Sequence, residues 1–195
     1  MATTLGAGSR CSSTIRGAPD TVPTLTAGYF TLPYLVKAGA AHVHACEWNP
    51  NAVDALRRNL ASNGVETRCT VYPGDNRDPA TRAALRGVAD RVNLGLIPTS
   101  EPGWGAGVGA LKLGGGGWLH VHENVAHGAE GELAARLCAV VSGLWAARGP
   151  PGGAAAWEVA CRRVEHVKSY APRVDHCVFD VRVSRLRTRT AVLQV

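Results

Sequence analysis

The chain has 195 residues, a length that predicts one domain with a substantial core. Its 21 Lys and Arg against 15 Asp and Glu give a formal charge of +6, which suits a polyanionic partner without establishing one. The six cysteines are dispersed without a CxxC pair, which argues against a disulfide framework or a zinc ribbon.

The N-terminal segment, residues 1–26, is rich in Thr, Ser, Gly, Ala and Pro and has no apolar run. This composition is typical of an irregular or disordered arm, and it lacks the apolar region of a secretory signal. We therefore expect the first strand of the domain to be missing or degraded. The alternative left open is that residues 21–26 supply a short irregular strand.

A strand followed by a helix is predicted next. Residues 41–48 are β-prone and end in Glu47 and Trp48. Asn49 and Pro50 then form an N-cap and first-helical-position pair, and the helix should stop at Gly64.

A second unit of the same kind follows. Residues 69–72 form a predicted strand, and Asp75 and Asn76 lie in the turn after it. Asp78 and the proline after it should begin another helix, which ends at Gly87. The resulting order of strand, helix, strand, helix is typical of an α/β domain with a parallel sheet.

Acidic side chains therefore end two neighbouring strands. In doubly wound α/β proteins the ligand lies at this edge, where one carboxylate can accept both ribose hydroxyls and the next loop can contact the base. Glu47 and Asp75 occupy these two positions. A Gly-containing turn is expected about 20 residues before the ribose acid, and Gly28 provides it.

The second half of the chain predicts the rest of the sheet. Alternating apolar residues indicate strands over 91–97 and 117–122, and the apolar run over 133–147 reads as a helix that covers the sheet. Two further strands, over 157–167 and 174–183, should form an antiparallel edge joined by a connector at 168–172. No span long enough to cross a membrane is evident.

Histidine pairs raise the question of a metal. His42 with His44, and His120 with His122, each project from one face of a strand, but neither pair has an obvious third ligand. We expect structural histidines and no metal site. The alternative is that His122 and Glu123, at a strand's carboxyl end, touch the cofactor or the base.

Several separate strings in this chain, together covering about residues 27–183, resemble the tRNA wybutosine-synthesizing protein 2 family. In chain order they are AGYFTLPYLV, AHVHACEWNPNAVDALRRNL, GDNRD, DRVNLGLIPTSE, WLHVHENV and VKSYAPRVDHCVFDV. The resemblance implies a Rossmann-like fold of the class I S-adenosylmethionine-dependent methyltransferase type. It also implies transfer of the 3-amino-3-carboxypropyl group of S-adenosylmethionine to 4-demethylwyosine in phenylalanine tRNA, leaving methylthioadenosine.

Residue by residue, the resemblance makes Glu47 the ribose-binding acid and assigns Asp75 and Asn76 to the adenine side. It assigns no catalytic residue. The segment before residue 27 departs from the family, which has an apolar strand and a Gly-rich turn there. The chain therefore reads as an N-terminally truncated or altered form, with a transferase domain at 27–183 and a tail at 184–195.

Three alternatives remain open. The first is a tRNA guanine-N1 methyltransferase of the sister family. Formation of methylthioadenosine rather than S-adenosylhomocysteine would decide against it. Enzymes that methylate an exocyclic amine are a separate class, and the loop after the fourth strand speaks against them, because Ile97 precedes a single Pro98 where an Asp or Asn before paired prolines would be expected. The second is a nicotinamide oxidoreductase, which the absence of GxGxxG disfavours. The third is a catalytically silent variant.

The expected partner is phenylalanine tRNA. Lys168 and Arg173 flank the predicted connector and could meet its phosphates, although a solvated basic surface would have the same composition. We further expect a cytoplasmic protein that is a monomer and does not associate with membranes.

Overall fold

The structure is a computed structural model that describes residues 21–24 and 29–186. Seven strands and four α-helices make up most of this part of the chain. The strands are β1 (Thr21–Thr24), β2 (His42–Glu47), β3 (Cys69–Pro73), β4 (Arg91–Leu94), β5 (Gly117–Ala126), β6 (Trp157–Ala171) and β7 (Val174–Arg185). The helices are α1 (Pro50–Ser62), α2 (Pro79–Ala84), α3 (Trp104–Ala110) and α4 (Glu130–Ala147).

The strands form one mixed sheet in the order β3-β2-β1-β4-β5-β7-β6. The pairs among β3, β2, β1, β4 and β5 are parallel, whereas β7 runs antiparallel to both β5 and β6. This arrangement confirms the predicted α/β fold of the class I methyltransferase type with an antiparallel C-terminal edge. It also brings the carboxyl ends of β2, β3 and β4 to one edge of the sheet.

The first strand was expected to be missing or degraded; it is present, as a strand of four residues. Thr21–Thr24 pairs in parallel with β2 along its whole length, and Thr24 also pairs with Asn93 of β4. The short strand that we held open for residues 21–26 is thus found at residues 21–24, and residues 25 and 26 lie outside the described residues. Composition underestimated it because the neighbouring strands, rather than an apolar run, supply its hydrogen-bond partners.

The predicted start and end of α1 are confirmed, whereas those of α2 are confirmed only in part. Asn49 caps α1, because its side chain accepts a hydrogen bond from the Asn51 backbone N–H at 3.0 Å. The chain leaves α1 through Gly64, whose φ of +62° suits glycine. Asp78 precedes α2 but makes no capping hydrogen bond, and the helix is shorter than predicted.

Apolar side chains cover both faces of the sheet. On one face, Val43 and Ala45 of β2 pack with Leu56 and Leu60 of α1. On the other face, α4 places Leu137, Val141 and Trp145 at four-residue spacing against a core that includes Phe179. Burial of each of these large side chains contributes about 1.5–3 kcal/mol and fixes the sheet that carries the site.

The hairpin of β6 and β7 is longer than the sequence indicated. Most of the predicted connector continues β6, and the turn consists of Pro172 and Arg173 between Ala171 and Val174, which pair with each other. Arg173 has a φ of +61°, which a type II turn with proline at its first central position requires of the second. Within the described residues, no helix combines the length and the low polarity needed to cross a bilayer.

Candidate functional site

A cavity of about 660 Å³ lies at the carboxyl ends of β2, β3 and β4. Glu47, Asp75 and Asn76 all line it, so the structure brings together three of the four predicted site residues. Gly28, the fourth, lies outside the described residues. Another wall comes from the end of β4 and the segment after it, whose lining residues include Leu94, Gly95, Leu96 and Ile97.

Glu47 is a buried carboxylate in the cavity wall. Only 4% of the residue is exposed, and its Oε1 accepts a hydrogen bond from the Asn49 backbone N–H at 2.8 Å. The carbonyl of Glu47 accepts a further bond from the Gly74 N–H at 2.9 Å. The end of β2 and the turn after β3 are therefore held together at the place where the predicted acids meet.

Asp75 lies in a more open part of the same cavity and is paired with Arg77. The Arg77 Nε lies 2.9 and 3.0 Å from the two carboxylate oxygens, and the Arg77 backbone N–H donates to Oδ1 at 2.8 Å. These hydrogen bonds lower the pKa of Asp75 to about 2. Asp75 is thus an ionised acceptor at neutral pH, and it brings a guanidinium into the lining of the cavity.

Apolar groups with high exposure stand at the mouth of the cavity. Trp48 is 77% exposed, Leu96 51% and Ile97 40%, and all three line the cavity. Large apolar side chains left in water beside buried polar groups are typical of a binding site for a flat organic ring. Sequence reasoning missed Trp48; the available signal was an aromatic residue directly after the strand-end acid.

The loop after β4 is fixed by a second buried carboxylate, Glu123 of β5. Its Oε1 accepts from the Ser100 backbone N–H at 2.8 Å and from the Ser100 hydroxyl at 2.9 Å. The Trp104 indole N–H donates to the same hydroxyl at 3.2 Å, and the Asn124 N–H donates to the Pro98 carbonyl at 2.9 Å. Glu123 thus orders a wall of the cavity, a role that the sequence did not suggest.

The histidines of β2 and β5 have protein partners, as predicted for structural histidines. His42 contacts the Thr70 hydroxyl at 2.8 Å, and His44 contacts the Tyr72 hydroxyl at 3.1 Å. His120 lies 2.7 Å from a carboxylate oxygen of Asp180.

His122 belongs to a buried polar network. Its Nδ1 lies 3.0 Å from Nε2 of His176, and its Nε2 lies 3.2 Å from Oδ1 of Asn93, which also accepts from the Tyr34 hydroxyl. Burial, followed by the neighbouring His176, lowers the pKa of His122 to about 4. The imidazole is therefore neutral at pH 7 and stabilises the network as a hydrogen-bonding group.

Comparison with known proteins places this architecture in a family. Residues 21–133 match the TRM5/TYW2 methyltransferase domain. The chain is 43% identical, over 197 aligned positions, to a tRNA wybutosine-synthesizing protein 2 homolog from Danio rerio; the match covers 83% of this chain and 45% of the relative. The chain thus spans less than half the length of that relative.

Solved structures show the same fold. The chain resembles M. jannaschii TYW2 in complex with AdoMet with a TM-score of 0.73 and 27% identity, over 89% of this chain and 72% of that one. It also resembles P. horikoshii TYW2 in complex with MeSAdo with a TM-score of 0.70 and 25% identity, over 86% and 58% of the two chains. The chain belongs to the TRM5/TYW2 methyltransferase domain family.

Proposed function

We propose that this chain binds S-adenosylmethionine and transfers its 3-amino-3-carboxypropyl group to 4-demethylwyosine in phenylalanine tRNA, a step of wybutosine biosynthesis. The observation that carries the proposal is the cavity at the carboxyl ends of β2, β3 and β4, which contains Glu47 and Asp75. The similarity to a relative whose name specifies wybutosine synthesis, and to M. jannaschii TYW2 in complex with AdoMet, supports the same reading.

In this proposal each wall of the cavity has a task. Glu47, held by the Asn49 N–H, accepts hydrogen bonds from the ribose hydroxyls. Asp75 and Asn76 contact the adenine side, where the ionised Asp75 accepts a hydrogen bond from an exocyclic amine. The exposed Trp48 and Leu96 pack on the faces of the purine, which removes their apolar surface from water.

The chemistry needs orientation more than it needs a protein nucleophile. The sulfonium makes each attached carbon electrophilic, so the acceptor ring carbon forms the new bond to the carbon that leaves the sulfur, and methylthioadenosine departs. The ring carbon then loses its proton to a base or to water. The chain's contribution is to hold the ribose and adenine so that the aminocarboxypropyl carbon, and not the methyl, faces the acceptor.

The tRNA partner is supported by charge at the hairpin. Lys168 near the end of β6 and Arg173 in the turn are both exposed, and each can neutralise a phosphate. Arg162 and Arg163 are less suited to this task, because each already pairs with a glutamate of the same strand. The specificity for phenylalanine tRNA belongs to the proposal, and the monomeric state and the cytoplasmic location stay predictions.

The test is a product assay with S-adenosylmethionine and tRNA that carries 4-demethylwyosine. We expect methylthioadenosine to form at a rate that Glu47→Ala lowers, while Glu66→Ala, which changes an acid outside the cavity lining, leaves the rate unchanged. Formation of S-adenosylhomocysteine would support the alternative, a guanine-N1 methyltransferase. Formation of neither product would contradict activity for this chain.

A further inference from the structure

Three metal-ligating side chains meet beside the hairpin of β6 and β7, a fourth, His127, contacts one of them, and none of the four lines the cavity. His127 and Glu130 come from the junction of β5 and α4, His166 from β6 and Asp175 from β7. One donor atom each of Glu130, His166 and Asp175 lies within 4.8 Å of the others, and within the described residues no other such group of three His, Cys, Asp or Glu is found.

The distances between the donors are close to those around a bound ion. Nδ1 of His127 lies 3.1 Å from Oδ2 of Asp175, which lies 3.6 Å from Nδ1 of His166. Nε2 of His166 lies 3.9 Å from Oε1 of Glu130. Ligands about 2.0–2.1 Å from a tetrahedral zinc ion are roughly 3.3 Å apart. One ion binds only one nitrogen of His166, so side-chain rotations must bring that nitrogen closer to both acids, and His127 must move in from outside the group of three.

The chemistry of the set selects a class of ion. Two imidazoles and two carboxylates are borderline donors, which bind Zn²⁺ and its first-row neighbours in preference to Ca²⁺ or Mg²⁺. With neutral imidazoles, the two carboxylates carry the negative charge that a divalent cation would balance. Cys177 lies behind the set, with Sγ 3.6 Å from Nδ1 of His166, but the residue is fully buried.

Access and rigidity both suit a bound ion. The side chains of His127 and His166 are 71% and 54% exposed, so an ion can enter from solvent, whereas those of Glu130 and Asp175 are 19% and 13% exposed. The position of His127 is fixed by its backbone N–H, which donates to the carbonyl of Arg173 in the hairpin turn at 3.0 Å. The cluster therefore combines two partly buried acids with two exposed imidazoles whose rings can rotate.

We propose that His127, Glu130, His166 and Asp175 form a binding site for a divalent cation of the zinc class. The ion clamps the hairpin of β6 and β7 to the start of α4. Its ligands span residues 127–175, so binding would order segments far apart in the chain and stabilise the folded state over the unfolded one. The site does not depend on the proposed transferase function.

Calorimetric titration of the metal-free chain with Zn²⁺ tests the proposal. We expect one saturable site whose Kd rises at least about 100-fold in Asp175→Asn and about 10- to 100-fold in His166→Gln, where an exposed ligand is replaced. The matched control is His42→Gln, which removes a histidine that lies close to His44 on β2, outside the proposed site, and should leave Kd unchanged. Circular dichroism checks that each variant is folded.

The change in Tm on Zn²⁺ binding distinguishes an ion that links the hairpin to α4 from an ion bound nonspecifically at the surface. Zn²⁺ at about 100 times its Kd should raise the Tm by about 5 to 10 °C in the native chain and much less in His166→Gln. Co²⁺ at the same site should show the intense visible absorption of tetrahedral coordination. Absence of saturable Zn²⁺ binding, or binding that His42→Gln abolishes and His166→Gln retains, would overturn the proposal.

Discussion

Glu47 at the end of β2 and Glu123 near the end of β5 are the same residue type at similar positions of one sheet, and each is 4% exposed. Their surroundings differ. Glu47 lines the cavity, whereas the Oε1 atom of Glu123 accepts two hydrogen bonds from Ser100 and orders the loop that walls the cavity. The strand end therefore determines where an acid lies, and the groups around it determine whether it binds a ligand or holds the fold.

The regions around these two acids also differ in solvent exposure and in what lowers the pKa of their titratable groups. Next to Glu47, Asp75 is open to solvent and its pKa is lowered chiefly by hydrogen bonds from Arg77. Next to Glu123, His122 is buried and its pKa is lowered chiefly by loss of water. Between pH 6.5 and 4, protonation in the β5 region should thus be coupled to unfolding, whereas the coupling from Asp75 should lie below about pH 4.

The largest expected effect concerns His122. Its pKa is lowered from 6.5 to about 4 in the folded chain, so between these values the unfolded chain binds the extra proton. The free energy of unfolding should therefore fall as the pH drops from 6.5 to 4, by on the order of 3 kcal/mol from this residue.

Urea denaturation at several pH values measures this slope. His122→Gln should remove most of the fall in the free energy of unfolding that we assign to His122. Asp75→Asn should leave the pH dependence of the free energy of unfolding between pH 6.5 and 4 unchanged. Identical slopes in the native chain and in His122→Gln would show that burial of this imidazole does not control the pH dependence.

A smaller effect is expected from Glu123→Ala. The substitution leaves the Ser100 N–H and hydroxyl without their buried acceptor, which should cost about 1–3 kcal/mol of stability. Glu123→Gln keeps one oxygen acceptor and should cost less. Denaturation at neutral pH compares the two variants. An unchanged free energy of unfolding in Glu123→Ala would contradict the claim that Glu123, unlike Glu47, stabilises the fold.

The smallest effect is confined to a titration. Arg77→Ala should raise the pKa of Asp75 from about 2 toward the usual value of about 4, because the guanidinium no longer stabilises the carboxylate. NMR titration of the Asp75 carboxyl measures the shift. The pair of Asp75 and Arg77 stabilises the folded state above the usual Asp pKa and loses this contribution only as the pH falls toward 2. If the pKa of Asp75 stays at about 2 in Arg77→Ala, a group other than the Arg77 side chain lowers it.

Sequence predicted the parts of the site that depend on neighbours along the chain. Glu47 was found from a strand end followed by Asn49 and Pro50, and Asp75 from a turn after the next strand. Parallel strands in a doubly wound fold then bring these ends together. The helix α1 and the antiparallel edge followed from capping and alternation in the same way.

Sequence did not predict the contacts between distant residues. Ser100 and Glu123 meet because β4 and β5 are neighbours with a particular register, and His127 meets Asp175 because β5 pairs with β7. Strand β1 was held open only as an alternative, because its pairing depends on β2 and β4 on either side and not on its own composition. Such contacts are set by register, which periodicity along one segment does not contain.

The most direct test of the central claim is calorimetric titration of the chain with S-adenosylmethionine, with Glu47→Ala measured in parallel. Loss of this buried acceptor should weaken binding by about 1.5–3 kcal/mol, or roughly 10- to 150-fold in Kd, without unfolding the chain. Saturable binding that weakens by this amount is the predicted result. A folded chain that does not bind S-adenosylmethionine, or that binds it equally well without Glu47, would contradict the assignment of the cavity.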